Sequence, residues 1–339
     1  MAGRVAKPLL RAARRRTPRA GILMYHRVAT EEADPWNLCV TPAAFDEQMA
    51  VLARRRSAVD LGAFSDGSAY SKAGDRIAVT FDDAYIDNLA AALPILEKHE
   101  IPATIFVVTR ALGQHREFWW DALGRAVLES GPIPHTLSLQ LGGEDREFCI
   151  QDGSEAAPAD GWDADHDKPR TDRERLYLKL WNAIVLLEPG EQNAAAEKVL
   201  GWAGLPAVGP EHRHPATRED IAALATHPLI RVGSHTRHHV SLPHLSPARQ
   251  REEIKGGHRE LEELVGRPVE RFSYPFGRYD ECALGHVREL GIAVACTSRP
   301  AVATAGMSRT ELPRLHAIER DGDSFARWLR DDHGLLGDG

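Results

Sequence analysis

The chain has 339 residues and a net charge of −7. That allows one large or two moderate domains and excludes whole-protein electrostatic capture of nucleic acid. Hydrophobic residues make up 43% of it, enough for a sizeable core, and the four cysteines (Cys39, Cys149, Cys282 and Cys296) lack the spacing of a disulfide framework or a cysteine zinc site and read as plain buried thiols.

Residues 1–20 are basic, with Arg4, Lys7, Arg11, Arg14, Arg15, Arg16 and Arg19. They lack the apolar run of roughly 7–15 residues that a signal peptide requires. No later run reaches the roughly 18 apolar residues of a membrane span. The reading is a disordered, solvated basic tail on a cytoplasmic protein, with contact to an anionic membrane surface as the alternative. Residues 21–335 then read as one domain.

Gly21 to His26 is the first core strand. His26 ends it, and both a structural role and a place near a site are open for it. Thr41-Pro42 opens a helix, with Thr41 as cap and proline at the first helical position. Phe45, Met49 and Leu52 form its apolar stripe. Ile77 to Phe81 is a buried strand that stops at two adjacent carboxylates, Asp82 and Asp83. Ala84 to Glu97 reads as mostly helical, with a kink or restart at Pro94. Ile101 to Thr109 is the next strand. This strand–helix–strand rhythm implies a parallel sheet with helices outside.

The rhythm breaks near Gly113, and residues 113–215 read as one largely helical insertion, a lid or substrate platform. A helix starts at Phe118, a hairpin pairs Thr136–Leu141 with Arg146–Ile150, an acidic loop follows, and Leu176–Leu187 and Gln192–Trp202 are helical. Trp119, Trp120, Trp181 and Trp202 read as core before they read as sugar-stacking platforms. Thr217 caps a short helix, with Asp220 three residues on. Leu229 to Ser234 is a strand that runs into His235-Thr236-Arg237-His238-His239. Ser246-Pro247 starts a helix lined by Ile254, Leu261 and Leu264. Strands follow at Phe272–Phe276, Ile292–Cys296 and Leu312–Ile318, and a closing helix carries Phe325, Trp328 and Leu329. About seven strand–helix units result.

Two strand ends carry the chemistry. Asp82 and Asp83 point to opposite faces on a strand, so both serve one site only if the chain turns there. The plainer reading is a helix cap. His235 and His239, four apart, fall on one side of a helical turn. Two imidazoles with one carboxylate hold a divalent ion and leave a position for water, the catalytic pattern. His238 is a bystander between them. Asp87, His115 and His244 read as surface groups.

Thr80-Phe81-Asp82-Asp83, followed by His235-Thr236-Arg237-His238-His239 and then Phe272-Ser273-Tyr274-Pro275-Phe276-Gly277, resembles the three ordered motifs of the polysaccharide deacetylases, the NodB-homology carbohydrate esterases of family four. The resemblance covers roughly residues 20–115 and 215–320. It implies a deformed (β/α)7 barrel and a metal-dependent hydrolase that removes the N-acetyl group from an amino sugar of a polysaccharide or its precursor. It implies Asp83, His235 and His239 as ligands of one divalent ion, zinc, and Asp82 as the base. It places the Phe276 amide, after Pro275, at the oxyanion, with Tyr274, His26 and Arg314 in the substrate-binding set. His316 is the general acid, with Arg314 its rival for that role or for orienting Asp82. Asp121 loosely resembles the acid beside tryptophan in a further motif. One departure stands out: Ser273 occupies the place of an arginine that orients the base, and Arg278, Arg271 or a residue of the insertion is the expected substitute. Two other readings stay open: a catalytically weak sugar-binding relative, and a hydrolase of another small amide.

Overall fold

The apolar runs become seven parallel strands: β1 (Arg19–Tyr25), β2 (Ile77–Phe81), β3 (Ala103–Val107), β4 (Ile230–Ser234), β5 (Arg271–Ser273), β6 (Val294–Pro300) and β7 (Leu312–His316). The computed structural model describes residues 18–70, 76–150 and 161–336. Each strand pairs in parallel with the next, and β7 pairs with β1 to close the ring. This is a deformed (β/α)7 barrel. Its weak seam is at β5, which meets β4 through a single residue pair, Ser234 with Phe272. The expected basic tail lies outside the described residues up to 17, and Arg19 and Ala20 belong to β1 rather than to a tail. Among the described residues no helix is long and apolar enough to cross a membrane.

Alternation along the strands decides what faces the barrel axis. Ile77, Val79 and Phe81 pack outward with Phe45, Met49 and Leu52 of the helix Pro42–Arg55 in the main core. Ala78 joins Ala20, Ile22, Phe106, Cys296 and Leu312 in an inner cluster. The same two-residue step carries 78 and 80 on to Asp82, 231 and 233 on to His235, and 312 and 314 on to His316, all at the carboxyl rim. Gly233 is required inside this barrel: a Cβ there would lie 2.5 Å from the Phe106 ring.

The expected helices cap as read. Thr41 accepts from the Ala44 amide, and Thr217 with Asp220 forms a capping box. The helix after β2 starts later than expected. Residues 82–86 form a bend and turns in which Tyr85 bridges to Pro215, and a wide π turn, Asn88–Ala92, precedes the α-helix Leu93–His99. Asp82 and Asp83 are therefore not helix caps. Asp87 is also no surface group: it is buried and accepts from Arg27 Nε at 2.9 Å.

The segment 113–215 contains the helices Trp119–Gly124, Asp172–Ile184 and Pro189–Trp202 and a hairpin of Thr136–Leu141 with Glu144–Cys149. Leu137, Leu139 and Leu141 face inward in alternation. They join Trp119, Leu123, Tyr177 and Leu180 in a second apolar cluster distinct from the barrel's. Residues 151–160 of the expected acidic loop lie outside the described residues.

Candidate active site

The rim loops that carry the motifs bend through left-handed backbone at non-glycine residues. Asp83 and Ala84 have φ of 72° and 55°, Thr236 and His239 of 65° and 57°, and Phe276 of 56°. Such conformations cost of order 1–3 kcal/mol each and cluster at functional sites. Here they do specific work. The turn at Asp83 brings the second carboxylate round to the side that Asp82 already faces. His235 and His239 converge through a left-handed loop, not the helical turn that their spacing suggested.

The result is a compact donor set. Ligand atoms of Asp83, His235 and His239 lie within 4.8 Å of one another, all buried. His239 Nε2 is 3.3 Å and His235 Nε2 3.6 Å from Asp83 Oδ1. His235 Nδ1 bonds to the Ser273 carbonyl at 2.7 Å, which directs Nε2 inward. Asp83 Oδ1 is buried with no hydrogen-bond partner. Burial and the charges of Asp82 and Asp121 push the Asp83 carboxyl well up, and burial lowers both imidazoles. A carboxylate that resists ionisation unaided, beside two neutral imidazoles, fits a cation that completes the charge.

Asp82 is held quite differently. Arg314 Nη1 and Nη2 donate to its Oδ1 and Oδ2 at 2.7 and 2.6 Å, a bidentate fork. Arg314 is completely buried, and its remaining donors reach Thr80 Oγ1, Thr297 O and Ser273 Oγ. Ser273 Oγ itself donates to Asp82 at 3.3 Å. Burial alone would raise this carboxyl, but Arg314, with His235, holds it well below the usual carboxylate range. The two adjacent acids are thus pushed in opposite directions.

Several expected positions need correction. Arg314 cannot touch substrate, because it lies beneath Asp82 with its donors taken. Neither Arg278 nor Arg271 replaces the missing arginine. Arg271 pairs with Asp60 at 2.5 Å, and Arg278 lies over the rings of Trp181 and Phe276. Tyr274 is buried against Phe272 and Tyr279 with its hydroxyl on Thr310 O, so it belongs to the core and not to a binding surface. Pro275 is buried beneath the turn. Asp121, the acid beside Trp120, is half-buried. It accepts from Tyr85 OH at 2.7 Å, which accepts from Trp120 Nε1, and the Trp120 ring packs 4.8 Å from His239. His238 turns away to Glu253.

His26 and His316 both line the cavity above the acids, their rings 5.8 Å apart. His26 Nδ1 and His316 Nε2 are buried without a partner. Burial and Arg314 lower His316 to about 4, and burial lowers His26 to about 3. The cavity measures about 490 Å³, and Phe276, Trp120, Trp181 and Trp36 also line it. No local pattern marks Trp36 for the site. Arg314 was legible only as one of two roles, although its place two residues before His316 on one strand already set both on the same face.

A family model described as polysaccharide deacetylase matches residues 69–138 and 206–295. Over those two segments the chain is similar to the polysaccharide deacetylases. A Bacillus subtilis relative, YxkH, whose own name places it among these deacetylases, is 29% identical over 119 residues, 35% of this chain. The match spans only 42% of that relative's length. Among solved structures, the polysaccharide deacetylase BC0361 from Bacillus cereus superposes with a TM-score of 0.56 at 17% identity, covering 91% of this chain and 68% of that one. IcaB from Ammonifex degensii does so with 0.55 at 18% identity, covering 91% and 95%. These structural likenesses bear on the fold. The deacetylase model ends before β7 and starts after β1, so His26, Arg314 and His316 lie outside it, as does most of the insertion.

Proposed function

We propose that this chain is a zinc-dependent hydrolase that removes the N-acetyl group from an amino sugar of a polysaccharide or its precursor. The observation that carries this reading is the pairing, on one cavity floor, of an ionised acid clamped by arginine with an acid–His–His set suited to a cation. A set of two imidazole nitrogens and one carboxylate oxygen suits zinc and leaves a coordination position for water. When bound, such an ion lowers the pKa of water from about 15.7 to roughly 7 and polarises the acetyl carbonyl.

The chain's own residues do the rest. Asp82, fixed in its ionised form by Arg314, accepts the proton of the attacking water. The Phe276 amide donates to the oxyanion. His316 delivers a proton to the leaving amine. The aromatic side chains above orient the sugar, and residues 113–215 act as the substrate platform of a single barrel domain. The sugar-binding reading rested on the missing arginine at Ser273, and Arg314 supplies that guanidinium from β7, so no observation now favours it.

Acetate release from a panel of N-acetylated sugars, by chelator-stripped protein and after zinc is restored, tests the activity. We expect release only from the reloaded protein. Release from other small amides but from none of the sugars would transfer the reading to amide hydrolysis. His239→Ala should remain folded by circular dichroism and lose its metal by elemental analysis. Unchanged metal content would reject Asp83, His235 and His239 as the ligands.

The acid is tested by leaving group. His316→Ala should lower turnover on an acetamide by about 10²-fold or more and spare an aryl ester, whose leaving group needs little protonation. His26→Ala is the control. If only His26→Ala shows that selectivity, the acid is His26.

A further inference from the structure

His316 is held from behind by the loop after β1. Its ring donates to the backbone carbonyl of Asn37. Nε2 is the nitrogen without a partner, so Nδ1 makes that bond and Nε2 is left beside the cavity that the ring lines. Asn37 sits in left-handed backbone, with φ of 52°, a conformation that asparagine tolerates better than most non-glycine residues. The turn that presents its carbonyl is built around Asp34. The Asp34 carboxylate accepts from the Leu38 and Cys39 amides at 2.8 Å each, and the Asp34 carbonyl from the Asn37 amide at 3.1 Å.

The insertion fastens this loop. Asn37 Nδ2 donates to Asp163 Oδ2 at 2.8 Å, across 126 positions of sequence. The Ala164 amide donates to Pro35 O at 2.7 Å, and Trp36 Nε1 to Tyr177 OH at 2.7 Å. Asp163 is itself fixed. Its Oδ1 accepts from the Asp165 and His166 amides at 2.9 and 3.1 Å, and its Oδ2 pairs with His166 Nδ1 at 3.0 Å. Burial alone would raise this carboxyl, but His166 and the Asp165 amide hold it below the ordinary carboxylate range.

With Nδ1–H bonded to a carbonyl, the second proton of the ring goes to Nε2, where a leaving amine can take it. Burial opposes that second proton, and so do Arg314 on the same strand and His26 at the end of β1. Asp163 from the insertion, the Asn37 carbonyl and Asp82 at the end of β2 favour it. Of the two acids, Asp82 is already engaged by the Arg314 fork.

We propose that Asn37 and Asp163 are the positioning residues of the acid. The Asn37 carbonyl fixes the His316 ring so that the transferable proton resides on Nε2, and the Asp163 carboxylate anchors Asn37 and stabilises the imidazolium. The insertion thereby supplies part of the proton-delivery apparatus as well as a platform for substrate. This inference rests on the reading of His316 as the general acid.

The experiment records nitrogen NMR spectra of the histidine rings in the zinc-loaded protein, with His316 assigned by its loss in His316→Gln. In the neutral ring the wild type should show Nδ1 protonated and Nε2 bare. Asp163→Asn removes the charge and keeps the size of the side chain. Asn37→Gly keeps the left-handed turn and cuts the tie to Asp163. Both variants should show a new population of His316 with its proton on Nε2. A less stabilised imidazolium gives up its proton at lower pH. The alkaline limb of acetamide turnover should therefore move down by about one pH unit in both, a loss of about tenfold beyond the limb. An aryl ester, whose leaving group needs little protonation, should keep its profile. A wild-type neutral ring protonated on Nε2, an unmoved limb in both variants, or equal losses on acetamide and ester would each overturn the inference and leave the deacetylase reading standing. Acetamide turnover that survives His316→Gln would show that the acid reading itself fails, and the inference with it.

Discussion

Arg314→Met is expected to cost about 3–5 kcal/mol of stability, the usual loss when one partner of a buried ion pair is removed. It should also lower turnover by about 10²-fold or more, as misplaced catalytic groups do. The reason is the fork that it makes on Asp82 at 2.7 and 2.6 Å, with both side chains out of water. Without the guanidinium, Asp82 faces the full penalty of burial, and Ser273 Oγ at 3.3 Å is too weak a donor to offset it. Methionine fills the volume, so the loss is electrostatic and not a cavity effect. Denaturant unfolding of the single variants and of Asp82→Asn with Arg314→Met measures the coupling. The double variant should fall well short of the summed losses, because a neutral amide needs no cation beside it. A single-variant loss below about 1 kcal/mol would mean that this pair does not hold Asp82.

Asp82→Asn should retain its metal and lose about 10²–10⁴-fold in turnover, the size of a general-base contribution. Asp83→Asn should fail in the other way, by losing metal. The two acids are adjacent in sequence, yet their surroundings differ: Arg314 holds Asp82 ionised, while burial and the neighbouring carboxylates push Asp83 up. Metal content and turnover, measured side by side at a temperature where circular dichroism shows both variants folded, separate the two roles. Near-normal turnover in Asp82→Asn would take the base role from it.

Much of this was legible in the sequence because it depends on local patterns. Buried strand runs, proline and threonine at helix starts, and the alternation that carries Ala78 and Thr80 on to Asp82 are read from neighbours a few residues apart. The seven-strand rhythm followed from them, and so did two histidines and an acid at strand ends; the choice of Asp83 over Asp82 as the ligand beside His235 and His239 came from the resemblance of the motifs. What the sequence by itself determined was therefore the barrel and the floor of its site.

The tertiary structure decided what stands behind and above that floor. Whether Arg314, Arg278 or Arg271 replaces the arginine absent at Ser273 is a question of distance across the barrel. β7 lies beside both β1 and β6, and only there does the alternation aim a guanidinium beneath Asp82. The same holds for Trp36, joined to the insertion by a bond between residues 141 positions apart. Helix-forming and strand-forming signals act over one or two turns, whereas an ion pair or a cavity wall is set by where distant segments meet. That meeting is fixed by barrel closure and by the packing of the insertion on the rim, which no local pattern encodes.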